Sequence, residues 1–125
     1  MSKSDGRSSY LDRPLVYIVG PYTSPDPVEN THHTIEVAGR LIDEGFMTPV
    51  VPHLTLLWHL VQPREIDFWY EYDLAILVRC DAVLRLPGKS TGADREVAFA
   101  KREDIPVFED ELTLSHWIKT VWSPT

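Results

Sequence analysis

Short apolar runs alternate with longer amphipathic segments along the chain. The first run, Leu15–Gly20, is rich in β-branched residues and ends at a glycine, which is typical of a strand buried on both faces of a parallel sheet. Later runs predict three further strands, at Phe46–Val51, Asp81–Leu86 and Ile105–Phe108. Pro49 favours an edge position for the second strand, because proline cannot donate a ladder hydrogen bond.

Helical periodicity fills the segments between these strands. Gly45 is a natural stop for the first helix. The predicted helices are Val28–Glu44, Leu54–Val61, a long helix from Pro63 to about Arg79, one that follows a Gly-containing loop and runs to about Arg102, and Leu112–Val121. The alternation predicts an α/β fold: a single-domain open parallel sheet of four to five strands, flavodoxin- or Rossmann-like, with helices on both faces. Ligands in such sheets bind beyond the carboxyl ends of the strands.

The N-terminal residues and the amino-acid composition limit the classes of protein and partner that the chain fits. Residues 1–13 are polar and Ser-rich and are predicted to form a disordered N-terminal tail, with the domain spanning residues 14–125. The formal net charge of −7 argues against a nucleic-acid polymer as partner. No run reaches membrane-spanning length and no signal peptide is evident, so no membrane partner is expected. Cys80 is the only cysteine, which favours a reducing, cytoplasmic location.

The stretch from Leu84 to Ala100 carries the strongest chemical signal. It reads as a buried strand, a tight loop containing Ser90, Thr91 and Gly92, and then a helix with Glu96 near its start. Free backbone N–H groups at a helix N-terminus suit a phosphate, and a carboxylate beside them can attack a sugar carbon. The alternatives are that Ser90 only caps the helix and that Glu96 only complements the helix dipole.

Two other loops are expected to meet the same edge of the sheet. Gly20 would allow a ligand close to the backbone, and Pro21 and Tyr22 follow it, with Tyr22 able to cover a base or sugar. His53 is the only one of the five histidines placed to meet a ligand. None of the histidines has the spacing of a metal site, so no metal is expected.

Two residues of the predicted core have open interpretations. Asp73, on an otherwise apolar helix face, could protonate a leaving group or bind a sugar, or it could be solvated or paired with Arg79. Tyr17 could reach a carboxylate at the end of the sheet, although core packing is favoured from sequence alone.

Asp81 is expected to serve a turn. The aromatic cluster of Phe68, Trp69, Tyr70 and Tyr72 favours packing or a dimer interface, and it could also wall a pocket for a base.

From about Leu15 to Trp117 the chain resembles the nucleoside 2-deoxyribosyltransferase family, including its branch of nucleoside 5′-monophosphate N-glycosidases. Three pieces in order carry the resemblance: the strand Tyr17–Tyr22, the segment Asp73–Asp81, and the loop and helix start Ser90–Glu96. The resemblance implies that Glu96 is the nucleophile that forms a glycosyl-enzyme. It also implies that Asp73 assists departure of the base.

Further roles follow from the same resemblance. Tyr17 matches a tyrosine that hydrogen-bonds the nucleophile in some members. Ser90 stands six residues before Glu96, where monophosphate hydrolases carry Ser and transferases commonly carry Asp. Members are usually dimers or larger, with a residue of the neighbouring subunit completing the site. No cofactor is implied.

The sequence therefore predicts an N-glycosidase of (deoxy)nucleoside 5′-monophosphates, with a small-molecule nucleotide or nucleoside as ligand. Glu96, Asp73 and Tyr17 are the expected catalytic residues. The expected substrate-binding residues are Gly20, Pro21, Tyr22, His53, Ser90, Thr91 and Gly92. Two alternatives stay open: transfer of deoxyribose between bases, and a non-catalytic nucleotide-binding module. A cytokinin-activating phosphoribohydrolase is disfavoured, because the loop PGKSTGADRE lacks the second glycine and the GTxxE spacing of that family.

Overall fold

The computed structural model describes residues 9–123, which form a four-stranded sheet surrounded by helices. The strands are β1 (Leu15–Val19), β2 (Thr48–Val50), β3 (Ala82–Arg85) and β4 (Val107–Phe108). The helices are α1 (Pro27–Glu44), α2 (Thr55–Val61), α3 (Ile66–Leu77), α4 (Thr91–Arg102) and α5 (Glu111–Thr120). Every strand pair is parallel, in the order β2-β1-β3-β4. The predicted open parallel α/β sheet is confirmed, with four strands.

The strand order creates a crevice at one edge of the sheet. The chain leaves β1 toward β2 on one side and later returns to place β3 on the other side. Connections that diverge from neighbouring strands leave a gap beyond their carboxyl ends, where ligands of open α/β sheets bind. The loops that follow β1 and β3 therefore border the position at which a ligand is expected.

The sheet is covered on both faces, as its sequence pattern predicted. Alternate residues of β1 point to opposite sides. Val16 and Ile18 join a buried cluster with residues of α1 and α5, whereas Tyr17 and Val19 join one with residues of α3 and α4. The helix residues of the first cluster are Val37, Ala38, Leu41, Leu114 and Ile118, and those of the second are Leu77, Ala93 and Ala100.

Individual residues explain where helix α1 begins and ends and why β2 lies at the edge of the sheet. The Asp26 side chain caps α1 by accepting a hydrogen bond from the Glu29 amide at 2.9 Å, and Gly45 ends that helix with a left-handed φ of 83°. Pro49 lies in β2, which is an edge strand as predicted. No helix within residues 9–123 is long and apolar enough to cross a membrane.

Several predicted boundaries differ from the structure, and the last three strands are shorter than predicted. The helix expected from Pro63 to Arg79 spans only Ile66–Leu77, because Glu65 adopts an extended backbone and the last amides bond three residues back in a tighter turn. The structure describes residues 9–13 of the predicted tail, residues 1–13. Tyr10–Asp12 form a 3-10 helix and the Arg13 guanidinium lies 3.9 Å from the centre of the Tyr10 ring. Residues 1–8 lie outside the described residues.

Glycine at position 88 is required by the contact between the loops that follow β1 and β3. Gly88 has a φ of +119°, and a Cβ built there would lie 2.7 Å from Cγ of Pro21. Both the backbone conformation and the space therefore exclude a larger residue. Gly39 is different, because a Cβ built there meets no atom within 4 Å.

We expect Gly88→Ala to lower the free energy of unfolding by about 1–3 kcal/mol, because it adds left-handed strain and a clash with Pro21. Gly39→Ala is the matched control, and in the interior of α1 it should raise the free energy of unfolding by about 0.5–1 kcal/mol. Urea denaturation of both variants measures the difference. Equal stability of the two variants would contradict the assigned loop contact.

Candidate active site

A hydrogen bond joins the central strand to the helix that follows the glycine-containing loop. The hydroxyl of Tyr17 donates to Oε2 of Glu96 at 2.8 Å. Tyr17 is fully buried in β1, and Glu96 lies in the second turn of α4. The two interpretations of Tyr17 thus hold together, because its ring packs in the core while its phenol reaches a carboxylate at the end of the sheet. Sequence alone favoured only the packing.

The environment of Glu96 disfavours its charged form. Burial raises its pKa to about 7, although the Tyr17 hydrogen bond and the positive charge of Arg85 act in the opposite direction. Burial also raises the pKa of Tyr17, and the charges of Glu96 and Asp73 add to that effect. The phenol therefore stays protonated and remains a donor to Glu96.

Asp73 lies near Glu96 and interacts with it electrostatically. Burial raises the pKa of Asp73 to about 8, with the charge of Glu96 as a second cause. Its Oδ1 is buried and has no hydrogen-bond partner among the described residues. Arg79, the alternative partner considered from the sequence, donates to the carbonyl of Ala75 instead. Asp73 is thus not paired with Arg79, and one oxygen of its carboxyl group is shielded from water.

The two carboxyl groups form a pair in which both members bind a proton more tightly than an exposed carboxyl does. A shared site with little water disfavours two negative charges, so one member tends to keep its proton. Burial raises the pKa of both groups above the ordinary carboxyl range, so the pair retains a proton near neutral pH. A retained proton on one carboxyl beside an anionic one is the arrangement that acid-assisted nucleophilic displacement requires.

The loop between β3 and α4 is held by Arg85, a residue that the sequence analysis did not select. Its guanidinium donates to the carbonyls of Leu86 and Gly88 and pairs with Asp94 at 3.1 Å. The side chain of Arg85 is largely buried, with 13% of its surface exposed. An arginine as the last residue of a buried strand was the available signal, because such a charge needs partners nearby.

The residues at the start of α4 have a demonstrated structural role. The Ser90 hydroxyl oxygen accepts a hydrogen bond from the Ala93 amide at 3.1 Å, so the predicted N-cap is confirmed. Thr91 and Gly92 are exposed in the first turn. Their amides precede the first intrahelical donors and are open to a ligand. Phosphate binding at this helix end stays a prediction.

His53 supports the loop that follows β1. It is buried, and its Nε2 lies 2.9 Å from the carbonyl oxygen of Pro21, so that nitrogen carries the proton and donates. Burial lowers the pKa of His53, which keeps the ring neutral. The His53 ring meets the Tyr22 ring edge-on with centroids 5.7 Å apart, and Asn30 donates to the Tyr22 carbonyl at 2.9 Å.

Gly20 is explained by packing. A Cβ built on Gly20 would lie 3.2 Å from Cβ of Leu86, in the segment that follows β3. The absence of a side chain at Gly20 therefore allows the segment after β1 to pack closely against the segment after β3. Direct contacts of Gly20, Pro21, Tyr22 and His53 with a substrate stay predictions. The Asp81 carboxylate accepts from the Leu15 amide at 2.8 Å and so connects the segment before β3 to the start of β1, whereas its expected role in the turn stays a prediction.

A cavity of about 230 Å³ adjoins Asp73. The end of β2, α2 and α3 enclose it, and most of its lining side chains are apolar. The lining residues are Val50, Val51, Pro52, Leu54, Thr55, Trp58, Tyr72, Asp73 and Ile76. We refer to this space below as the Asp73 cavity.

Aromatic rings stabilise one wall of the Asp73 cavity. Trp58 meets Trp69 and Tyr72 edge-on, with ring centroids 5.4 Å and 5.6 Å away. The Trp69 indole nitrogen donates to Nδ1 of His59 at 2.8 Å. The predicted packing is confirmed for Phe68, Trp69 and Tyr72, and Tyr72 also lines the cavity.

Within residues 9–123, no group of three or more His, Cys, Asp or Glu side chains is arranged to hold a metal ion. Comparison with known proteins assigns no family: no family model matches the chain, and no curated protein matches its sequence. The case for a function therefore rests on the geometry of the site and on the sequence motifs.

We expect Tyr17→Phe to raise the pKa of Glu96 above its value of about 7, because the lost hydrogen bond stabilised the carboxylate. The change should be on the order of one pH unit. Carbon-13 NMR titration of labelled glutamate carboxyls measures it. Tyr70→Phe is the control and should leave the titration of Glu96 in place. An unchanged midpoint in Tyr17→Phe would contradict the importance of this bond.

The raised pKa of Asp73 also predicts a pH-dependent stability. A carboxyl that binds its proton more tightly in the folded state makes the free energy of unfolding fall as pH rises from the unfolded pKa near 4 to the folded value of about 8. Asp73→Asn removes this contribution, so stability should decline less between pH 5 and pH 8. The difference has a limit of about 1.4 kcal/mol per pH unit.

Chemical denaturation at several pH values tests this expectation. Asp43→Asn is the control, because Asp43 is exposed on α1, and it should follow the unmodified chain. If Asp73→Asn and Asp43→Asn lose stability in parallel as pH rises, the raised pKa of Asp73 is wrong.

Proposed function

We propose that this protein is an N-glycosidase that hydrolyses the bond between base and sugar in (deoxy)nucleoside 5′-monophosphates. The observation that carries the proposal is the buried carboxyl pair, with Glu96 bound by Tyr17 and Asp73 bordering a cavity at the carboxyl edge of the sheet. The raised pKa of both carboxyls supports a pair that shares one proton near neutral pH, and displacement of a base requires one protonated and one anionic carboxyl.

In the first step the Glu96 carboxylate attacks C1′ of the sugar. A bond forms between a Glu96 oxygen and C1′ while the glycosidic C1′–N bond breaks, and its electron pair leaves with the base. Asp73 gives its proton to the departing base, which is a poor leaving group as an anion. Negative charge on Glu96 stabilises the oxocarbenium-like transition state, and the Tyr17 hydrogen bond orients the attacking carboxylate.

The second step releases the sugar phosphate. Asp73, now ionised, takes a proton from a water molecule whose oxygen attacks C1′. The bond between C1′ and Glu96 breaks, so Glu96 recovers its negative charge and Asp73 its proton. Two displacements retain the configuration at C1′, as in retaining glycosidases.

The start of α4 is the proposed site for the 5′-phosphate. Amides of the first turn carry partial positive charge, and no carbonyl of the helix occupies them. The Ser90 hydroxyl accepts from the Ala93 amide through its oxygen, so its own proton stays available to donate to a phosphate. The loop that joins β3 to this helix is held by Arg85, which supports a defined distance between phosphate and Glu96.

The Asp73 cavity is the proposed site for the base. It is open beside the group that would protonate the base, and aromatic side chains form part of its wall. A flat ring gains from contact with aromatic faces and from the removal of apolar surface from water. With the base in this cavity the proposed acid lies beside it, and the proposal requires C1′ of the sugar to lie within reach of Glu96.

We further propose that the protein acts as a homodimer or a larger homo-oligomer. Apolar residues of α2 and the start of α3 are unusually exposed for a water-facing surface, for example Leu57 at 70% and Val61 at 73%. Large exposed apolar patches are typical of protein interfaces. The patch continues into the wall of the Asp73 cavity through Leu54 and Trp58, so a partner seated there would lie next to the proposed base site.

A panel of ribo- and deoxyribonucleoside 5′-monophosphates tests the proposal directly. We expect free base and sugar 5-phosphate in equal amounts from at least one member of the panel, followed by liquid chromatography. Glu96→Ala should lower kcat by about a thousandfold or more, because the nucleophile is lost. Glu103→Gln, at the exposed C-terminal end of α4, is the control and should keep full activity.

Two outcomes would count against hydrolysis. Formation of a new nucleotide when a second free base is added would identify deoxyribosyl or ribosyl transfer through the same intermediate. Nucleotide binding without release of base from any substrate would favour a non-catalytic module, in particular if Glu96→Ala binds as well as the unmodified chain.

A further inference from the structure

Arg85 is the last residue of β3, and its side chain lies on the face of the sheet where Glu96 is found. Residues paired in parallel strands direct their side chains to the same side, and that side alternates along each strand. Tyr17 pairs with Val83, so Arg85, two residues further on, shares the face from which the Tyr17 phenol reaches Glu96. Helices α3 and α4 cover this face, so the guanidinium is enclosed on the same side as the proposed nucleophile.

The partners of Arg85 neutralise its charge only in part. Its guanidinium donates to the uncharged carbonyls of Leu86 and Gly88 and pairs with Oδ1 of Asp94 at 3.1 Å. The Asp94 side chain is 72% exposed, against 13% for Arg85. Water therefore screens the negative charge of Asp94 more strongly than the positive charge of Arg85. Toward the protein interior, the pair presents mainly a cation.

Groups from three elements act on the Glu96 carboxyl. Tyr17 of β1 donates a hydrogen bond to it, Asp73 of α3 interacts with it electrostatically, and Arg85 of β3 supplies a positive charge. On α4 itself, the Arg95 guanidinium lies over a tyrosine ring of α3, 3.9 Å from its centre. The charge of Arg85 opposes the effect of burial and favours the carboxylate form of Glu96.

We infer that Arg85 is a positioning residue for Glu96, because it fixes the loop that leads into α4 and places a buried positive charge on the side of the sheet where that carboxyl lies. The inference deepens the proposed function, on which the role of Glu96 as nucleophile rests. A carboxylate attacks a sugar carbon in its charged form, which a nearby cation favours. A guanidinium can also hold two carbonyls and a carboxylate at once, because its donors form a planar fork.

Carbon-13 NMR titration of Glu96 tests the charge of Arg85 without any substrate. All variants are made in Asp73→Asn, so that one buried carboxyl titrates alone and not as a coupled pair. Arg85→Gln keeps an amide donor for the loop but removes the charge, and it should raise the midpoint of Glu96 on the order of one pH unit. Arg85→Lys should restore most of the original midpoint. Arg102→Gln, in the last turn of α4, is the control and should leave the midpoint in place.

Asp94→Asn separates the charge of Arg85 from its ion pair. This variant keeps Arg85 and removes an exposed counter-charge, so the midpoint of Glu96 should fall by about 0.3 pH units. A rise like that expected for Arg85→Gln would overturn the inference, because the ion pair and not the buried cation would then favour the carboxylate. An unchanged midpoint in folded Arg85→Gln would overturn it as well.

The pH dependence of kcat/KM gives a second measurement, in the chain that retains Asp73. Arg85→Gln should move the acidic limb of the profile to higher pH, so the ratio of its activity to that of the unmodified chain should rise with pH. Loss of loop structure alone would lower activity by one factor at every pH, and that result would overturn the role of the charge. Arg85→Lys should keep the acidic limb but raise KM, because an ammonium cannot hold both carbonyls and the carboxylate. An unchanged KM would overturn the role of Arg85 in fixing the loop.

The two measurements distinguish failure of this inference from failure of the proposed function. If the unmodified protein releases base from a nucleotide but Arg85→Gln leaves the midpoint of Glu96 unchanged, hydrolysis stands and the role of Arg85 is wrong. If the midpoint moves as expected but no nucleotide releases its base, the control of Glu96 by Arg85 stands and hydrolysis fails.

Discussion

The hydrogen bond between Tyr17 and Glu96 connects the interior of the sheet to the helix that carries the proposed nucleophile. Both partners lie where water is scarce, so neither group is easily satisfied without the other. The parallel arrangement of β1 and β3 makes the meeting possible, because it places α4 above the carboxyl end of the strand that carries Tyr17. The orientation of Glu96 therefore depends on packing in the core as well as on its own helix.

Burial of the carboxyl pair lowers the free energy of unfolding, and the packing of the surrounding structure offsets this loss. Burial raises the pKa of both Asp73 and Glu96, which means that their ionisation is less favourable in the folded protein than in the unfolded chain. The two hydrophobic clusters that enclose the sheet provide the opposing contribution. Such a balance is common at sites where a titratable group must hold or release a proton near neutral pH.

The loops that follow β1 and β3 are held mainly by hydrogen bonds that side chains make to their backbone carbonyls. His53 binds the Pro21 carbonyl, Arg85 binds the Gly88 carbonyl, and Gly88 packs directly against Pro21. The side chains that the sequence analysis interpreted as ligand contacts thus include some that position the loops. A rigid border of this kind keeps the start of α4 and the Asp73 cavity at a constant separation, as recognition of both a phosphate and a base would require.

Much of the fold follows from periodicity alone. Apolar strands, amphipathic helices, Gly45 as a helix stop and Pro49 in an edge strand are local properties, and each has the predicted place in the structure. The helix boundary near Pro63 was less predictable, because proline is common in the first turn of a helix, yet here the backbone stays extended at Glu65 and the helix begins at Ile66. The proposed roles of Glu96, Asp73 and Ser90 also came from local motifs and from the family resemblance.

The sequence by itself determined which residues could carry charge, bury a ring or begin a helix, because those properties belong to single residues and their neighbours. Only the tertiary structure decided that the phenol of Tyr17 bonds to Glu96, 79 residues away, that Asp73 is orphaned beside an apolar cavity, and that Arg85 holds a loop. These relations depend on distances between segments that are remote in the chain. Burial and charge proximity, which set the proton affinities of the site, exist only after the segments have packed together.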